Sequence, residues 1–208
     1  MDVQQAYNIW AAQYDTNENK TRDLEAKSLR NCLSKIVFST CLEMGCGTGK
    51  NTEWLMQKAD HITAVDLSEE MLARAREKVP SENVQFIQAD MTQNWHFVLM
   101  PYDVVTFSLV LEHIEDLEPV LKKAADALKS DGHLYIGELH PFKQYSGSKA
   151  RFETAEGTQV VPCFTHHISD FVQAGKRAGL QIIELEEYFD NDERNEMPRI
   201  LSLLFKKH

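Results

Sequence analysis

Leu42-Glu43-Met44-Gly45-Cys46-Gly47-Thr48-Gly49 is the stretch on which the reading of this 208-residue chain turns. Thr40–Met44 has the pattern of a short buried strand, and the glycines after it end the strand in a turn. Glycine at such a turn permits positive φ and lets a ligand approach the main chain closely. A dinucleotide fingerprint reads GxGxxG, with a pyrophosphate over the N-terminus of the next helix. Here the third glycine comes one residue early and position 50 is Lys. Glu43 puts a carboxylate two residues before Gly45, an awkward neighbour for phosphate and a good one for a cationic or amino-bearing ligand.

Working outward, strands and helices alternate. Upstream, Val3–Tyr14 has the spacing of a short amphipathic helix, broken by the turn formers 15–19, and a second helix is expected from about Thr21 to Lys35. Downstream, a helix is expected over Asn51–Lys58 and a strand over His61–Asp66. Ser68 then caps a helix through Glu70 and Met71, and Val84–Ala89 reads as a strand. Tyr102–Ser108 is the near-continuous apolar run of a strand buried on both faces. Leu117–Leu128 reads as a helix, Ser130-Asp131-Gly132 as a turn, and His133–Leu139 as a strand. The last elements expected are a helix over Ser169–Ala178 and strands over Gln181–Glu187 and Arg199–Phe205. This alternation predicts an α/β, doubly wound, mostly parallel sheet with helices on both faces. Residues 141–164 interrupt it with Pro, Gly and Ser and a hairpin, Arg151–Thr154 and Thr158–Val161 about a turn at Glu156-Gly157. An excursion after the carboxyl end of a parallel strand commonly forms a substrate wall. The expected organisation is one domain over 1–208, with a helical cap over 1–36 and a lid over about 141–166.

Composition narrows the class of function. The chain is 43% hydrophobic, 26% charged and carries a net charge of −10, an ordinary globular balance that argues against nucleic-acid binding. No apolar run approaches the roughly 20 residues needed to span a bilayer. The opening Met1–Gln5 has neither a basic patch nor an apolar core, so a cytoplasmic location is expected. Cys32, Cys41, Cys46 and Cys163 show no metal-finger spacing. His113, Glu138, His140 and His166 are metal-ligand types, but no paired-histidine motif joins them, and no metal is expected.

Asp66 and Asp90, with Glu43, place carboxylates at the ends of three successive strands, where open parallel sheets bind ligands. Asp66 suits the hydroxyls of a ribose, Asp90 an adenine amine with Met91 offering a main-chain donor, and Leu67 and Met71 the flanks of the ring. In order, LEMGCGTG (42–49), AVDLSEEML (64–72), QADM (88–91), FSLVLEHIED (107–116) and LKSDGHLYIGELHP (128–141) resemble the motifs of small-molecule class I S-adenosylmethionine-dependent methyltransferases. The N-terminal WAAQYD (10–15), which contains Tyr14, resembles the helix that closes over the cofactor in that family. The resemblance implies a seven-stranded sheet with an antiparallel last strand and S-adenosyl-L-methionine as cofactor. It implies contacts from Gly45, Cys46, Gly47 and Gly49 to the methionine portion, from Asp66 to ribose and from Asp90 and Met91 to adenine, with Ser108 beside the methionine end. Cys46 and Asp131 depart from the family's usual residues.

Methyl transfer from a sulfonium is an in-line displacement, so positioning supplies most of the catalysis, and a base is needed only when the acceptor must lose a proton. His140, in the turn where the lid begins, is the first candidate base, followed by His113 and by His166 or His167. Lys143, Tyr145, Lys149 and Arg151 of the lid suit an anionic group or a solvated basic loop. Trp95 fits the core or the acceptor pocket. The expected activity is methyl transfer to an O or N nucleophile of a small molecule by a monomer or homodimer. The alternatives are a non-catalytic S-adenosylmethionine-binding module and a methyltransferase for protein or nucleic acid.

Overall fold

The computed structural model describes residues 1–16, 18–154 and 157–208, so Asn17 and Glu156, assigned above to turns, lie outside the described residues. Seven strands form one sheet: β1 (Thr40–Met44), β2 (His61–Asp66), β3 (Val84–Gln88), β4 (Tyr102–Ser108), β5 (Leu128–Leu139), β8 (Leu180–Tyr188) and β9 (Ile200–Lys207). The hairpin β6 (Arg151–Thr154) and β7 (Gly157–Val160) stands apart. The sheet order is β3-β2-β1-β4-β5-β9-β8. β9 alone runs against its neighbours, pairing antiparallel with both β5 and β8. The fold is therefore the doubly wound, Rossmann-like sheet with an antiparallel last strand.

Side-chain alternation along the strands builds two cores. Leu42, Met44, Val105, Phe107, Leu201, Leu203 and Phe205 face α5 (Leu117–Ala127) and α7 (Ile168–Arg177). Cys41, Ile62, Ala64, Val104 and Leu204 face the side of α2 (Lys20–Leu33), α3 (Thr52–Leu55) and α4 (Glu69–Lys78). Residues of either parity in β1 and β4 are thus buried, which is why these strands read as continuous apolar runs. A third cluster of Ala6, Trp10, Ala11, Met71, Phe152 and Val161 seats α1 (Val3–Trp10) on α4 and on the hairpin. Within it the Trp10 ring stacks on Phe152 with centroids 5.2 Å apart.

Helix starts follow side-chain caps. Asp2 accepts from the Gln5 N–H at 2.8 Å, Asn19 from Thr21 and Arg22, and Ser68 from Met71 at 3.2 Å. Helix ends differ from expectation for local reasons. α1 stops at Trp10 and tightens to a 3₁₀ turn over Ala11–Gln13. α3 covers only Thr52–Leu55 because Gln57 and Lys58 bond back three residues, to Trp54 and Leu55, rather than four. The expected turn at Ser130-Asp131-Gly132 is a kink inside β5, with Asp131 at φ 62° and a register shift opposite Tyr102 and Val104.

Strand order reverses between β2-β1 and β1-β4. The crevice above the carboxyl ends of these strands is where such a sheet takes its ligand.

Candidate functional site

A cavity of about 220 Å³ opens there. Gly45 and Gly47 line it from the turn after β1, Asp66 and Leu67 from the end of β2, and Asp90, Met91 and Thr92 from the loop after β3. Ser108, Leu109, Val110 and His113 follow from the end of β4, and Val3, Tyr7 and Tyr14 close it from the N-terminal segment. Its charged walls are two carboxylates, Asp66 and Asp90, with no Lys or Arg among the lining residues.

The turn after β1 is held by its neighbours. The Gly45 and Cys46 N–H groups both donate to the Val65 carbonyl, at 2.7 and 3.0 Å. Gly45 sits at φ 76°, and a Cβ there would lie 2.6 Å from Val110 Cγ2, so both conformation and space require glycine. Asp66 Oδ2 accepts the Gly47 N–H and Oδ1 the Ser68 N–H, both at 2.8 Å. One carboxylate thus latches the glycine turn to the start of α4 and still faces the cavity. Burial pushes its carboxyl above the usual range despite those two donors.

The loop after β3 is fixed from a helix far along the chain. Lys123 of α5 donates to the carbonyls of Met91, Thr92 and Gln93, at 2.6, 3.0 and 2.6 Å. Asp90 Oδ1 accepts from the Thr92 N–H and hydroxyl at 2.8 and 2.7 Å. Trp95 donates to the Met91 carbonyl at 2.8 Å and stacks on Phe97. It packs against the core and does not line the cavity.

A second cavity, of about 310 Å³, shares Tyr7, Tyr14 and Leu109 with the first and continues to Arg22, Glu112, Lys149, Arg151 and Arg199. Leu109 holds φ 53°, a costly conformation for a non-glycine residue, at the wall between the two. His113 stands beside the junction. Its Nδ1 lies 2.8 Å from the Pro162 carbonyl, which can only accept, so Nδ1 carries the proton. Nε2 is then the acceptor for the Tyr7 hydroxyl, 2.8 Å away. Burial raises the Tyr7 phenol well above its ordinary value, keeping it a neutral donor. Glu112 Oε1 lies 4.0 Å from His113 Nε2, and burial pushes that carboxyl up as well.

Other expected site residues lie elsewhere. His140 lies away from the first two cavities, its ring fully buried. Its Nε2 donates to Glu187 at 3.0 Å and its Nδ1 accepts the Phe142 N–H at 3.2 Å, capping α6 (Pro141–Tyr145). Both nitrogens are committed to structure. His166 is likewise turned to structure, donating from Nε2 to the Ile114 carbonyl at 2.7 Å with its ring edge on Phe171. His167 Nδ1 is hydrogen-bonded to the Tyr145 hydroxyl outside both cavities. Glu43 accepts from the Thr52 hydroxyl at 2.5 Å behind the turn, its carboxyl pushed up to about 8 by burial. Cys46 packs in the core toward α2 and α4, Gly49 against Ala75 of α4 and Val79 just after it, and Met71 beneath α1. The Cys46 and Met71 side chains and the Gly49 main chain support the cavity from behind. Tyr7, Leu109, Glu112 and Lys123, which the motif reading passed over, stand at the cavities or hold their walls.

The profile of the family described as "Methyltransferase domain" matches residues 42–136. The chain is 31% identical over 148 residues to the ubiquinone biosynthesis O-methyltransferase of Hydrogenovibrio crunogenus, covering 66% of this chain and 58% of that one. It is 33% identical over 138 residues to the malonyl-[acyl-carrier protein] O-methyltransferase of Bacillus cereus, covering 64% of this chain and 50% of the other. The chain thus spans between half and three fifths of the length of these curated relatives. Among solved structures it superposes on the complex of DhpI with SAH (TM-score 0.78, 21% identity, 99% and 95% covered). The N-methyltransferase NodS of Bradyrhizobium japonicum with S-adenosyl-L-homocysteine gives a TM-score of 0.75 at 18% identity, with 100% and 99% covered. The match over 42–136 and these superpositions show a methyltransferase-like domain with the fold of S-adenosylmethionine-dependent methyltransferases. The matched region, 42–136, contains the glycine turn, Asp66, Asp90, Ser108 and His113, so most of the first cavity lies within it.

Proposed function

We propose that the chain is an S-adenosylmethionine-dependent methyltransferase acting on an O or N nucleophile of a small molecule. The observation that carries this is the charge of the first cavity: two carboxylates at strand ends, an open glycine turn, and no cation among the lining residues. Such walls disfavour a dinucleotide's pyrophosphate and suit a nucleoside joined to a sulfonium and an amino group. A Cβ on Gly47 would meet no atom within 4 Å, so the main chain there is open to a ligand. In this reading Asp66 takes the ribose hydroxyls, Asp90 and Met91 the adenine edge, Leu67 an adenine face, and Gly45, Gly47 and Ser108 the methionine portion. Tyr14 closes the site from the cap, while Glu43, Cys46, Gly49 and Met71 shape it from behind.

The bound cofactor supplies an electrophilic methyl group, and the residues supply alignment and a route for the proton. Tyr7 Oη, at the junction of the cavities, takes the acceptor's proton as its own passes to His113 Nε2. Glu112 and the Pro162 carbonyl, on either side of the ring, favour the imidazolium that results. The cap over 1–36 and the segment 141–166 enclose this junction as parts of one domain. Among the described residues no helix is long and apolar enough to cross a membrane. The net charge of −10 supports a small-molecule acceptor over a nucleic acid, and the unit acts as a monomer or homodimer.

Calorimetry with S-adenosylhomocysteine and with NAD tests the assignment. S-adenosylhomocysteine binds in the expected outcome, and Asp66→Ala weakens it at least ten-fold. Preference for NAD, or unchanged affinity in the variant, defeats the assignment. Labelled methyl transfer into metabolite extracts then finds the acceptor.

A further inference from the structure

The second cavity differs from the first in charge, and the difference bears on the acceptor. Among the described residues Arg22, Lys149, Arg151 and Arg199 line it with a single carboxylate, Glu112. In a chain of net charge −10 this is a local reversal of sign. Arg199 is largely offset by Asp190, which it grips through Nε and Nη2 at 2.6 and 2.5 Å. Arg22 donates from Nη1 to the Tyr14 carbonyl at 2.5 Å and lies 4.0 Å over the Tyr14 ring, which holds the guanidinium against the shared wall. Lys149 and Arg151 are exposed, at the entrance to the hairpin, and among the described residues neither forms an ion pair. Glu112 is buried, with its carboxyl pushed above the usual range by that burial, and one carboxyl does not balance these cations.

Resting on the methyltransferase reading, we infer that this cavity is the acceptor site and that the acceptor carries a carboxylate or phosphoryl group held by Arg22, Lys149 and Arg151. The two cavities meet at Tyr7, Tyr14 and Leu109. A molecule anchored at its anionic end on the hairpin side presents its other end at that junction, beside Tyr7 and His113. Guanidinium and ammonium groups recognise carboxylate and phosphoryl oxygens by charge-assisted hydrogen bonds, with Arg able to bind two oxygens at once. A neutral acceptor of the same shape forfeits those bonds and leaves the cations unused.

Benzoate, phenylphosphonate and the neutral benzamide are matched probes, titrated calorimetrically at low salt into the full chain with and without saturating S-adenosylhomocysteine. Benzoate or phenylphosphonate binds at least ten-fold more tightly than benzamide, and the Lys149→Gln/Arg151→Gln double variant loses at least ten-fold of that affinity. The variant keeps its affinity for S-adenosylhomocysteine and its unfolding midpoint, since both side chains are exposed. The stronger of the two anions identifies the group recognised. Equal binding of benzamide, no binding of either anion, or undiminished anion affinity in the double variant overturns the inference. Failure of S-adenosylhomocysteine to bind overturns the cofactor assignment instead, and the titrations without it still decide whether the cavity selects anions.

Discussion

Which nitrogen of His113 carries the proton decides what the junction between the cavities can do. Pro162 is a backbone acceptor, so Nδ1 donates and Nε2 is left as the base facing the Tyr7 hydroxyl. The pair is set by three distant parts of the chain: α1, the turn after β4, and the strap after the hairpin. Tyr7→Phe removes only the hydroxyl and keeps the ring that stacks on Trp10 with centroids 5.6 Å apart. If the acceptor must lose a proton, kcat falls on the order of 10²–10⁴-fold, the usual span for general-base catalysis. Affinity for S-adenosylhomocysteine stays within about three-fold, because an aromatic wall remains. His113→Gln gives a similar kcat loss. Steady-state kinetics beside calorimetry separates the outcomes, and an undiminished kcat in Tyr7→Phe removes the pair from the proton route. None of this was legible from the chain alone. The sequence shows eight histidines but not their hydrogen-bond partners, and Leu109 gives no local sign of its positive φ because the surrounding packing imposes it.

Among the elements, α6 and β8 explain why His140 looked catalytic and is placed as structure. A histidine at a strand's carboxyl end, followed by proline, has the local pattern of a site residue. Its actual partner, Glu187, comes from β8, 47 positions later, and only the tertiary fold brings the two together. His140→Ala removes the α6 cap and leaves Glu187 without its donor, so the unfolding free energy drops by about 1–3 kcal/mol. Chemical denaturation measures the loss. At a temperature where the variant remains folded, kcat stays within about three-fold, whereas a collapse of kcat with unchanged stability would return His140 to the proton route. The contrast with β1, β2 and β4 is instructive. Their boundaries were readable because strands buried on both faces need long apolar runs ended by glycine or a polar turn residue. Helix ends were less so, since caps and 3₁₀ tightening depend on one or two hydrogen bonds. Asp66 was readable as a strand-end carboxylate, but Lys123 was not, because its role is to clamp three carbonyls of another loop from the middle of a helix.

Across the whole molecule, acidic groups collect behind the carboxyl ends of the strands. Burial raises the carboxyls of Glu25, Glu43, Asp66, Glu112 and Glu138, with Glu43 and Glu138 pushed to about 8. Glu138 Oε1 accepts the Val110 and Leu111 N–H groups at 3.0 and 2.8 Å, while Oε2 is buried with no hydrogen-bond partner among the described residues, where a proton is welcome. In the unfolded chain these glutamates lose their protons near 4.5, so between about pH 5 and 8 the native state holds more protons than the unfolded one. Stability therefore falls as pH rises through that window, by up to about 1.4 kcal/mol per pH unit for each group still protonated in the fold. Asp15, Asp103 and Asp190 act in the opposite sense. Their carboxyls lie below the usual value, where Lys78, Lys129 and Arg199 donate to them, so their contribution is present above about pH 4 and lost in acid. The ligand-free chain is accordingly most stable near pH 5. Glu138→Gln, which keeps an acceptor for the two N–H groups and cannot ionise, makes the loss between pH 5 and 8 shallower. Urea midpoints at pH 5, 6, 7 and 8 measure both slopes, and identical slopes would mean that Glu138 is ionised in the native state throughout. A cationic ligand in the first cavity reverses part of the trend, because ionised Asp66 and its acidic surroundings then have a positive charge to face. Stabilisation by S-adenosylmethionine over the same pH range should consequently grow with pH relative to that by uncharged adenosine, as the rise in melting temperature at matched saturation will show.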